Sequence, residues 1–188
     1  MSKFRAFIAI DLKDEDIVRK VRTIQERLKA SGADLKLVEP ENLHLTLKFL
    51  GNVEESRIPE IVEAMEKAAD VVQPFEMRLK GMGVFPNPRY VRVVWVGVEE
   101  GTEETKAMAS VLEDELVKRG FRRETKPFTP HVTVARVRSG RNKAELISTV
   151  RELMNVDLGT VEVDRIRLKK SDLRPEGPVY TTVEEVEL

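Results

Sequence analysis

The 188-residue chain contains no cysteine and only two histidines. The lack of cysteine excludes disulfides, thiol nucleophiles and cysteine-ligated zinc, and it fits a reducing compartment. Apolar runs are short as well: one of the longest covers only residues 93–98, whereas a helix needs ~20 apolar residues to span a bilayer. We therefore expect a cytoplasmic protein with no membrane-spanning segment.

Both histidines begin the same four-residue pattern, in which threonine follows two positions later. The two copies are His44-Leu45-Thr46-Leu47 and His131-Val132-Thr133-Val134. Polar and aliphatic residues alternate in each copy, which predicts a β-strand with the histidine and threonine on one face. Each strand is therefore expected to present an imidazole next to a hydroxyl.

The formal net charge is only −1, which argues against a nucleic-acid binder that depends on bulk positive charge. The charge is unevenly distributed, because residues 118–152 carry ten basic and three acidic side chains, a local charge of 10 − 3 = +7. A solvated basic surface is one interpretation of this run. Since the run brackets His131, we favour a phosphate-bearing ligand. Its basic members are Lys118, Arg119, Arg122, Arg123, Lys126, Arg136, Arg138, Arg141, Lys143 and Arg151.

The two halves of the chain follow one plan, with the histidines 131 − 44 = 87 residues apart. The same offset carries residues 4–10 onto 91–97, which suggests an internal duplication. We expect one bilobal domain over residues 1–188, with sequence halves at about 1–86 and 87–188. Hydrophobic periodicity predicts helices over 15–30, 57–72, 103–119 and 143–153, and strands over 4–11, 43–50, 75–84, 90–98, 129–137, 161–168 and 179–186.

Turn-forming residues predict where these elements connect. Gly51-Asn52 is expected to be a loop, and residues 85–89 to be the joint between the halves. This joint is too short for a flexible linker, so the two lobes are expected to pack against each other.

Three interpretations of the histidines leave their repetition unexplained. A histidine on a half-buried strand can simply satisfy a hydrogen bond in the core, but nothing then requires two in matching positions. A catalytic zinc site usually has three protein ligands, and the chain has neither cysteine nor a third histidine. A Ser-His-Asp triad uses one histidine and leaves the other idle. We expect no metal and no cofactor.

A general base paired with a general acid gives both histidines a role. Displacement at phosphorus removes a proton from the attacking oxygen and delivers one to the leaving oxygen on the opposite side. Imidazole has an ordinary pKa of ~6.5, so a neutral and a protonated ring coexist near neutral pH. Thr46 and Thr133, on the same face, are placed to donate hydrogen bonds to the non-bridging phosphate oxygens.

The segments around both motifs resemble the two-histidine (2H) phosphoesterase superfamily. Within it they are similar to the RNA 2′,3′-cyclic phosphodiesterases historically called 2′-5′ RNA ligases of the LigT type. The resemblance covers the whole chain. It rests on RAFIAI at 5–10, NLHLTLKFLG at 42–51, GVFP at 83–86, VWVG at 94–97, FTPHVTVAR at 128–136 and SDLRPEGPVY at 171–180.

This resemblance implies an α+β fold with two lobes related by a pseudo-two-fold axis, antiparallel sheets lining a central cleft and helices outside. It implies that the substrate is an RNA end carrying a 2′,3′-cyclic phosphate, including ends of tRNA fragments, and that the product is a 2′-phosphate. It also implies that His131 is the proton acceptor and His44 the proton donor.

Further residues have two interpretations each. Arg136 resembles the arginine after the second motif in family members and suits a phosphate clamp, but strict alternation places it on the far face unless the strand contains a bulge. Lys48 is expected on the cleft face or at the surface. Phe7, Phe49 and Trp95 are expected in the core rather than as stacking platforms for bases.

The predicted function is therefore a metal-independent RNA 2′,3′-cyclic phosphodiesterase. One alternative is 2′-5′ RNA ligation, in which a ribose hydroxyl replaces water. Another is a noncatalytic module that binds RNA or nucleotides in the same cleft. We expect a monomer with no membrane partner.

Overall fold

The computed structural model describes residues 2–188, and these form a mixed α+β fold with one curled antiparallel sheet of nine strands and four helices. The fold class predicted from the sequence is confirmed. No helix among the described residues is long and apolar enough to cross a membrane. The strands are β1 (Lys3–Asp11), β2 (Leu35–Leu37), β3 (His44–Glu54), β4 (Phe75–Asn87), β5 (Tyr90–Val98), β6 (His131–Val137), β7 (Asp157–Val163), β8 (Arg165–Arg174) and β9 (Gly177–Glu187). The helices are α1 (Glu15–Ala30), α2 (Ile58–Ala69), α3 (Thr102–Lys118) and α4 (Lys143–Glu152).

The sheet consists of two groups of four strands that meet at the histidine motifs. Its order is β7-β4-β5-β6-β3-β1-β8-β9, and short β2 pairs with β6. At the junction, β6 and β3 share one registered pair, Leu45 with Val132. The two predicted sheets are therefore joined into one at the centre of the molecule.

Each group of strands contains segments from both ends of the chain. β4 comes from the first sequence half but pairs with β5, while β8 and β9 return from the second half to pair beside β1. The helices follow the same exchange: α1 packs on α4, β6 and β7, and α3 packs on α2 and β3. Each of the two groups of strands is therefore built from both halves of the sequence.

Apolar periodicity determines the faces of these elements. Helix α1 buries Ile17, Val21, Ile24 and Leu28 at three- and four-residue spacing. Asp14 caps it by accepting a hydrogen bond from the Ile17 backbone N–H at 3.0 Å.

Some predicted boundaries were wrong. Gly51-Asn52 is not a loop but part of β3, where Gly51 has φ of 70° beside an irregularity in the pairing with β1. Residues 161–168 are not one strand, because the chain turns at Asp164 between β7 and β8. The apolar alternation changes phase there, from Val161 and Val163 to Ile166 and Leu168. Residues 85–89 form the end of β4 and a hairpin turn. Strand β2 was not predicted.

Candidate active site

The two histidines begin the strands that meet at the centre of the sheet. His44 is the first residue of β3 and His131 the first of β6. Because Leu45 pairs with Val132 in antiparallel register, His131 lies nearest Thr46 and His44 nearest Thr133. The two motifs therefore form one site at the junction of the lobes.

Alternation places the polar residues of both motifs in the cleft. His44, Thr46, His131 and Thr133 are half-buried, whereas the intervening Leu45 and Val132 are fully buried. The predicted face of each strand is confirmed. Every imidazole has a hydroxyl beside it on its own strand and another across the junction.

Both imidazoles are held in the same orientation by the backbone. His44 Nδ1 lies 2.7 Å from the carbonyl oxygen of Asn42, and His131 Nδ1 lies 2.7 Å from that of Thr129. A carbonyl oxygen only accepts, so Nδ1 carries the proton in both rings. Nε2 is therefore the nitrogen that can take up or release a proton in each ring.

Aromatic rings pack against both histidines. The His44 ring lies 5.0 Å from Phe7 and 5.3 Å from Tyr180, the latter edge to face. The His131 ring lies 4.9 Å from Phe85, also edge to face, and 6.1 Å from Trp95. These ring contacts, together with the hydrogen bonds at Nδ1, hold each imidazole in its orientation. Tyr180 and Phe85 were not singled out in the sequence, although both lie in segments that carry the family resemblance.

Burial lowers the pKa of both histidines from the ordinary imidazole value. For His44, the hydrogen bond to Asn42 and the charge of Asp11 oppose this shift of the pKa, while Lys169 and Arg136 add to it. For His131, the bond to Thr129 opposes the lowering of the pKa and Arg136 adds to it. The charges around the two rings are therefore unequal.

Arg136 is brought to the cleft by a bulge in β6. Trp95 pairs with Thr133 but the next residue back, Val94, pairs with Ala135, so β6 contains one extra residue there. Val134 and Ala135 are both buried, and exposed Arg136 returns to the face of His131 and Thr133. Its charge lowers the pKa of both histidines. Arg136 therefore lies on the cleft face, where its charge acts on both rings.

The same kind of bulge takes Lys48 off the face that His44 and Thr46 share. In β3 the pairing with β1 passes from Thr46 to Lys48, and Leu47 and Lys48 are both buried. Lys48 Nζ donates to Glu113 Oε2 at 2.7 Å and to the Arg122 carbonyl at 2.9 Å. Lys48 thus still lines the cavity beside the motifs, but its side chain is buried in these bonds, so the alternative of an exposed surface lysine was wrong. Lys48 instead holds the segment between α3 and β6.

A cavity of about 1100 Å³ extends from the motifs toward α3. Phe49 and Tyr90, which are 67% and 60% exposed, lie along it. The expectation that Phe49 belongs to the core was wrong, because the bulge at Leu47-Lys48 turns it into the cleft; Phe7 is buried and Trp95 half-buried. A cavity this open, with exposed rings and cations, suits a nucleic acid end better than a small apolar ligand.

The basic run of residues 118–152 is divided by the fold. Arg123 and Lys126 line the cavity, and Arg136 lies beside the histidines. Arg119 is instead paired with Glu115 at 2.8 Å, and Arg151 is exposed on α4. Only part of the run therefore faces the cleft. Within residues 2–188 no group of three or more His, Asp or Glu side chains is arranged to hold a metal ion.

Comparisons with known proteins show which family the chain belongs to. The model of the family described as LigT-like phosphoesterase matches residues 10–95 and again residues 96–180. A relative from Methanothermobacter thermautotrophicus, named RNA 2′,3′-cyclic phosphodiesterase, is 46% identical over 182 residues, which is 97% of each chain. An Archaeoglobus fulgidus protein of the same name is 44% identical and covers 94% of this chain and 96% of its own.

A solved structure has the same fold. The crystal structure of the Thermus thermophilus protein TT0787 superimposes with a TM-score of 0.80 at 30% identity, covering 98% of this chain and 97% of its own.

Proposed function

The chain belongs to the LigT-like phosphoesterase family and is a hydrolase of the RNA 2′,3′-cyclic phosphodiesterase type; we propose that His44 and His131 carry out its reaction without a metal ion. The observation that carries this proposal is the matched presentation of both imidazoles. Each has Nδ1 bound to a backbone carbonyl at 2.7 Å and Nε2 left free, on strands that meet at one junction.

In the proposed reaction, Nε2 of His131 takes a proton from water as the water oxygen bonds to phosphorus. The bond between phosphorus and the 3′ oxygen breaks, and Nε2 of His44 delivers a proton to that oxygen. A 2′-phosphate and a free 3′ hydroxyl result. The assignment of acid and base follows the family resemblance, since the backbone holds both rings alike.

Negative charge on the phosphate is stabilised by Thr46, Thr133 and Arg136 in this proposal. Both hydroxyls lie on the histidine face, and the bulge in β6 brings the guanidinium to the same face. Hydroxyl and guanidinium groups donate hydrogen bonds that strengthen as charge develops on the oxygens. Water activation and charge stabilisation are then both supplied by side chains.

The proposed substrates are RNA ends, including those of tRNA fragments, with the cleft open along α3 for nucleotides before the end. Exposed Phe49 and Tyr90 and the cations Arg123 and Lys126 support a polynucleotide there. We place the reaction in the cytoplasm. The chain has no cysteine, so its stability does not depend on disulfides, which a reducing compartment would break.

The test is to incubate the protein with an oligonucleotide ending in a 2′,3′-cyclic phosphate, in EDTA. Conversion to a 2′-phosphate supports the proposal. A longer product in the presence of a 5′-hydroxyl acceptor indicates ligation, and unchanged substrate indicates a binding module. Activity that disappears in EDTA and returns with zinc or magnesium contradicts the metal-free mechanism.

We expect kcat/KM to have a bell-shaped dependence on pH with its maximum below pH 7. Activity requires one neutral and one protonated imidazole, and burial lowers the pKa of both. Activity is then lost as pH rises through the pKa of the acid and as it falls through the pKa of the base, and the limbs describe the coupled pair. Initial rates from pH 4.5 to 9 measure this. A single limb contradicts the paired mechanism.

Thr46→Ala and Thr133→Ala are each expected to lower kcat by about 10- to 10³-fold, because each removes one donor to the charged phosphate oxygens. Thr46→Ser and Thr133→Ser keep the hydroxyl and should retain most activity. Steady-state kinetics of the four variants test this. Equal activity of the alanine and serine variants would leave the threonines a structural role only.

Salt is expected to weaken binding of an oligonucleotide end more than that of a cyclic mononucleotide. The longer ligand reaches Arg123 and Lys126, and each phosphate contact changes the salt slope by about 0.7 for a single strand. Arg123→Gln with Lys126→Gln should flatten the slope for the oligonucleotide. Arg141→Gln with Arg151→Gln, outside the cavity lining, is the matched control. Measuring the affinity of each double variant for both ligands at several salt concentrations gives the slopes to compare. A slope flattened equally in both double variants would contradict a contact at Arg123 and Lys126.

A further inference from the structure

The two histidines differ in the residues that flank them on the neighbouring strands. Next to His44 lies a buried ion cluster, in which the side chains of Asp11 and Lys169 are 6% and 7% exposed. Asp11 Oδ2 accepts hydrogen bonds from Lys169 Nζ at 2.8 Å and from Arg167 Nη1 at 3.2 Å. Lys169 Nζ also donates to Thr182 Oγ1 at 2.9 Å. The carboxylate is thus fixed by two cations.

Strand register places this cluster on the cleft face. Asp11 pairs directly with His44, and residues paired across antiparallel strands project from the same face. Lys169 pairs with Phe7, whose ring packs against His44. The cluster therefore lies beside and behind the imidazole of His44.

Glycines occupy the equivalent places beside His131. Gly97 pairs with His131 as Asp11 pairs with His44. Two residues earlier on the same strands, Trp95 pairs with Gly83 as Ala9 pairs with Arg167. A Cβ at Gly83 would lie 2.3 Å from the Trp95 ring, and one at Gly97 would lie 3.4 Å from it. The Trp95 indole therefore lies over the two positions that correspond by register to Asp11 and Arg167 beside His44.

We propose that Asp11, held by Lys169 and Arg167, is the positioning residue that makes His44 the proton donor, whereas the glycines beside His131 leave it to act as the base. This inference rests on the proposed two-histidine function. A fixed carboxylate favours the protonated form of a neighbouring imidazole, and a neighbouring ammonium disfavours it.

Of the other groups that face His44, only Lys169 also acts on that ring alone, and its charge opposes that of Asp11. Arg136 on β6 acts on both histidines. Tyr180 on β9 is neutral at neutral pH, since burial raises the pKa of its hydroxyl. Arg167 and Lys169 on β8 bind Asp11 itself. Among residues 2–188, Asp11 is the acidic group that acts on His44 and has no counterpart acting on His131.

The test is an NMR titration of the two imidazole Cε1–H signals in the folded protein, assigned by their loss in His44→Gln and His131→Gln. Asp11→Asn is expected to lower the titration midpoint of His44. Lys169→Met is expected to raise it, because Arg167 still holds the carboxylate. The midpoint of His131 should stay in place in both. Glu113→Gln, which removes the carboxylate of another buried ion pair, is the matched control and should move neither signal.

Opposite shifts of His44 in the two variants support the proposal. An unmoved His44 midpoint, or equal shifts of both histidines, overturns it. If Asp11→Asn does not fold, Lys169→Met decides alone by the direction of its shift. Because the titration uses no substrate, it tests the cluster even if the phosphodiesterase assay fails.

Kinetics provide the second readout. Lowering the pKa of an imidazole by about 1 reduces its protonated fraction above the midpoint by about tenfold. The protonated fraction falls at pH 6 as well, but by less, so the ratio of kcat/KM at pH 8 to that at pH 6 should fall by about two- to threefold in Asp11→Asn. The same ratio should rise in Lys169→Met. A merely structural cluster would lower the rate at both pH values together and leave the ratio unchanged.

Discussion

Replacing either His44 or His131 with alanine is expected to lower kcat/KM by about 10²- to 10⁴-fold. Each variant loses one proton-transfer partner at Nε2, the nitrogen that the backbone bonds leave free. Affinity for the product, an oligonucleotide with a terminal 2′-phosphate, should change little, because Thr46, Thr133 and Arg136 remain. Steady-state kinetics and binding of that product by calorimetry measure the two effects.

The double variant distinguishes a working pair from two independent contributions. If both rings serve the same step, His44→Ala with His131→Ala should be little slower than the slower single variant, since the second loss removes nothing further. Thermal unfolding of all three proteins controls for misfolding. Wild-type activity in either single variant is incompatible with the paired mechanism.

Replacing Arg136 with alanine is expected to reduce kcat/KM by about 10²- to 10³-fold, the loss typical of one donor to a charged transition state. The bulge in β6 places this guanidinium on the face of both motifs, and its charge acts on both histidines. Arg136→Lys should recover only part of the rate, because an ammonium cannot make the two parallel hydrogen bonds of the guanidinium fork.

Arg151→Ala is the matched control for this prediction. Arg151 belongs to the same basic run but lies exposed on α4 and does not line the cavity. Its removal changes the net charge equally and should leave kcat/KM near that of the wild type at moderate salt. Equal losses in Arg136→Ala and Arg151→Ala would assign Arg136 a diffuse electrostatic role instead of a phosphate contact.

The strands that carry the site could be predicted because their information is local. Alternation within His44 to Leu47 and within His131 to Val134 is a two-residue pattern, and it places imidazole and hydroxyl on one face whatever the rest of the chain does. Helix α1 is equally local, with apolar spacing and an Asp14 cap, and its predicted bounds of 15–30 are confirmed.

The face on which a residue lies could not be predicted from alternation for positions that follow a bulge. An extra residue in β3 and in β6 appears only when the partner strand is present, and it reverses the face of every residue that follows. Strict alternation therefore placed Lys48 on the face of His44, left Arg136 undecided and assigned Phe49 to the core. The sequence carries no turn residue or change of composition at Leu47-Lys48 or Val134-Ala135 to indicate the bulges.

By itself, the sequence determined the fold class, the two histidine-threonine faces and the family, because each depends on short patterns. Only the tertiary structure decided which strands adjoin: β4 and β8 exchange lobes, and Asp11 and Gly97 come to lie beside different histidines. Pairing between distant segments depends on burial and register summed over the whole sheet. The repeated motifs make the two halves look alike, and the neighbours supplied by that pairing make the two histidines differ.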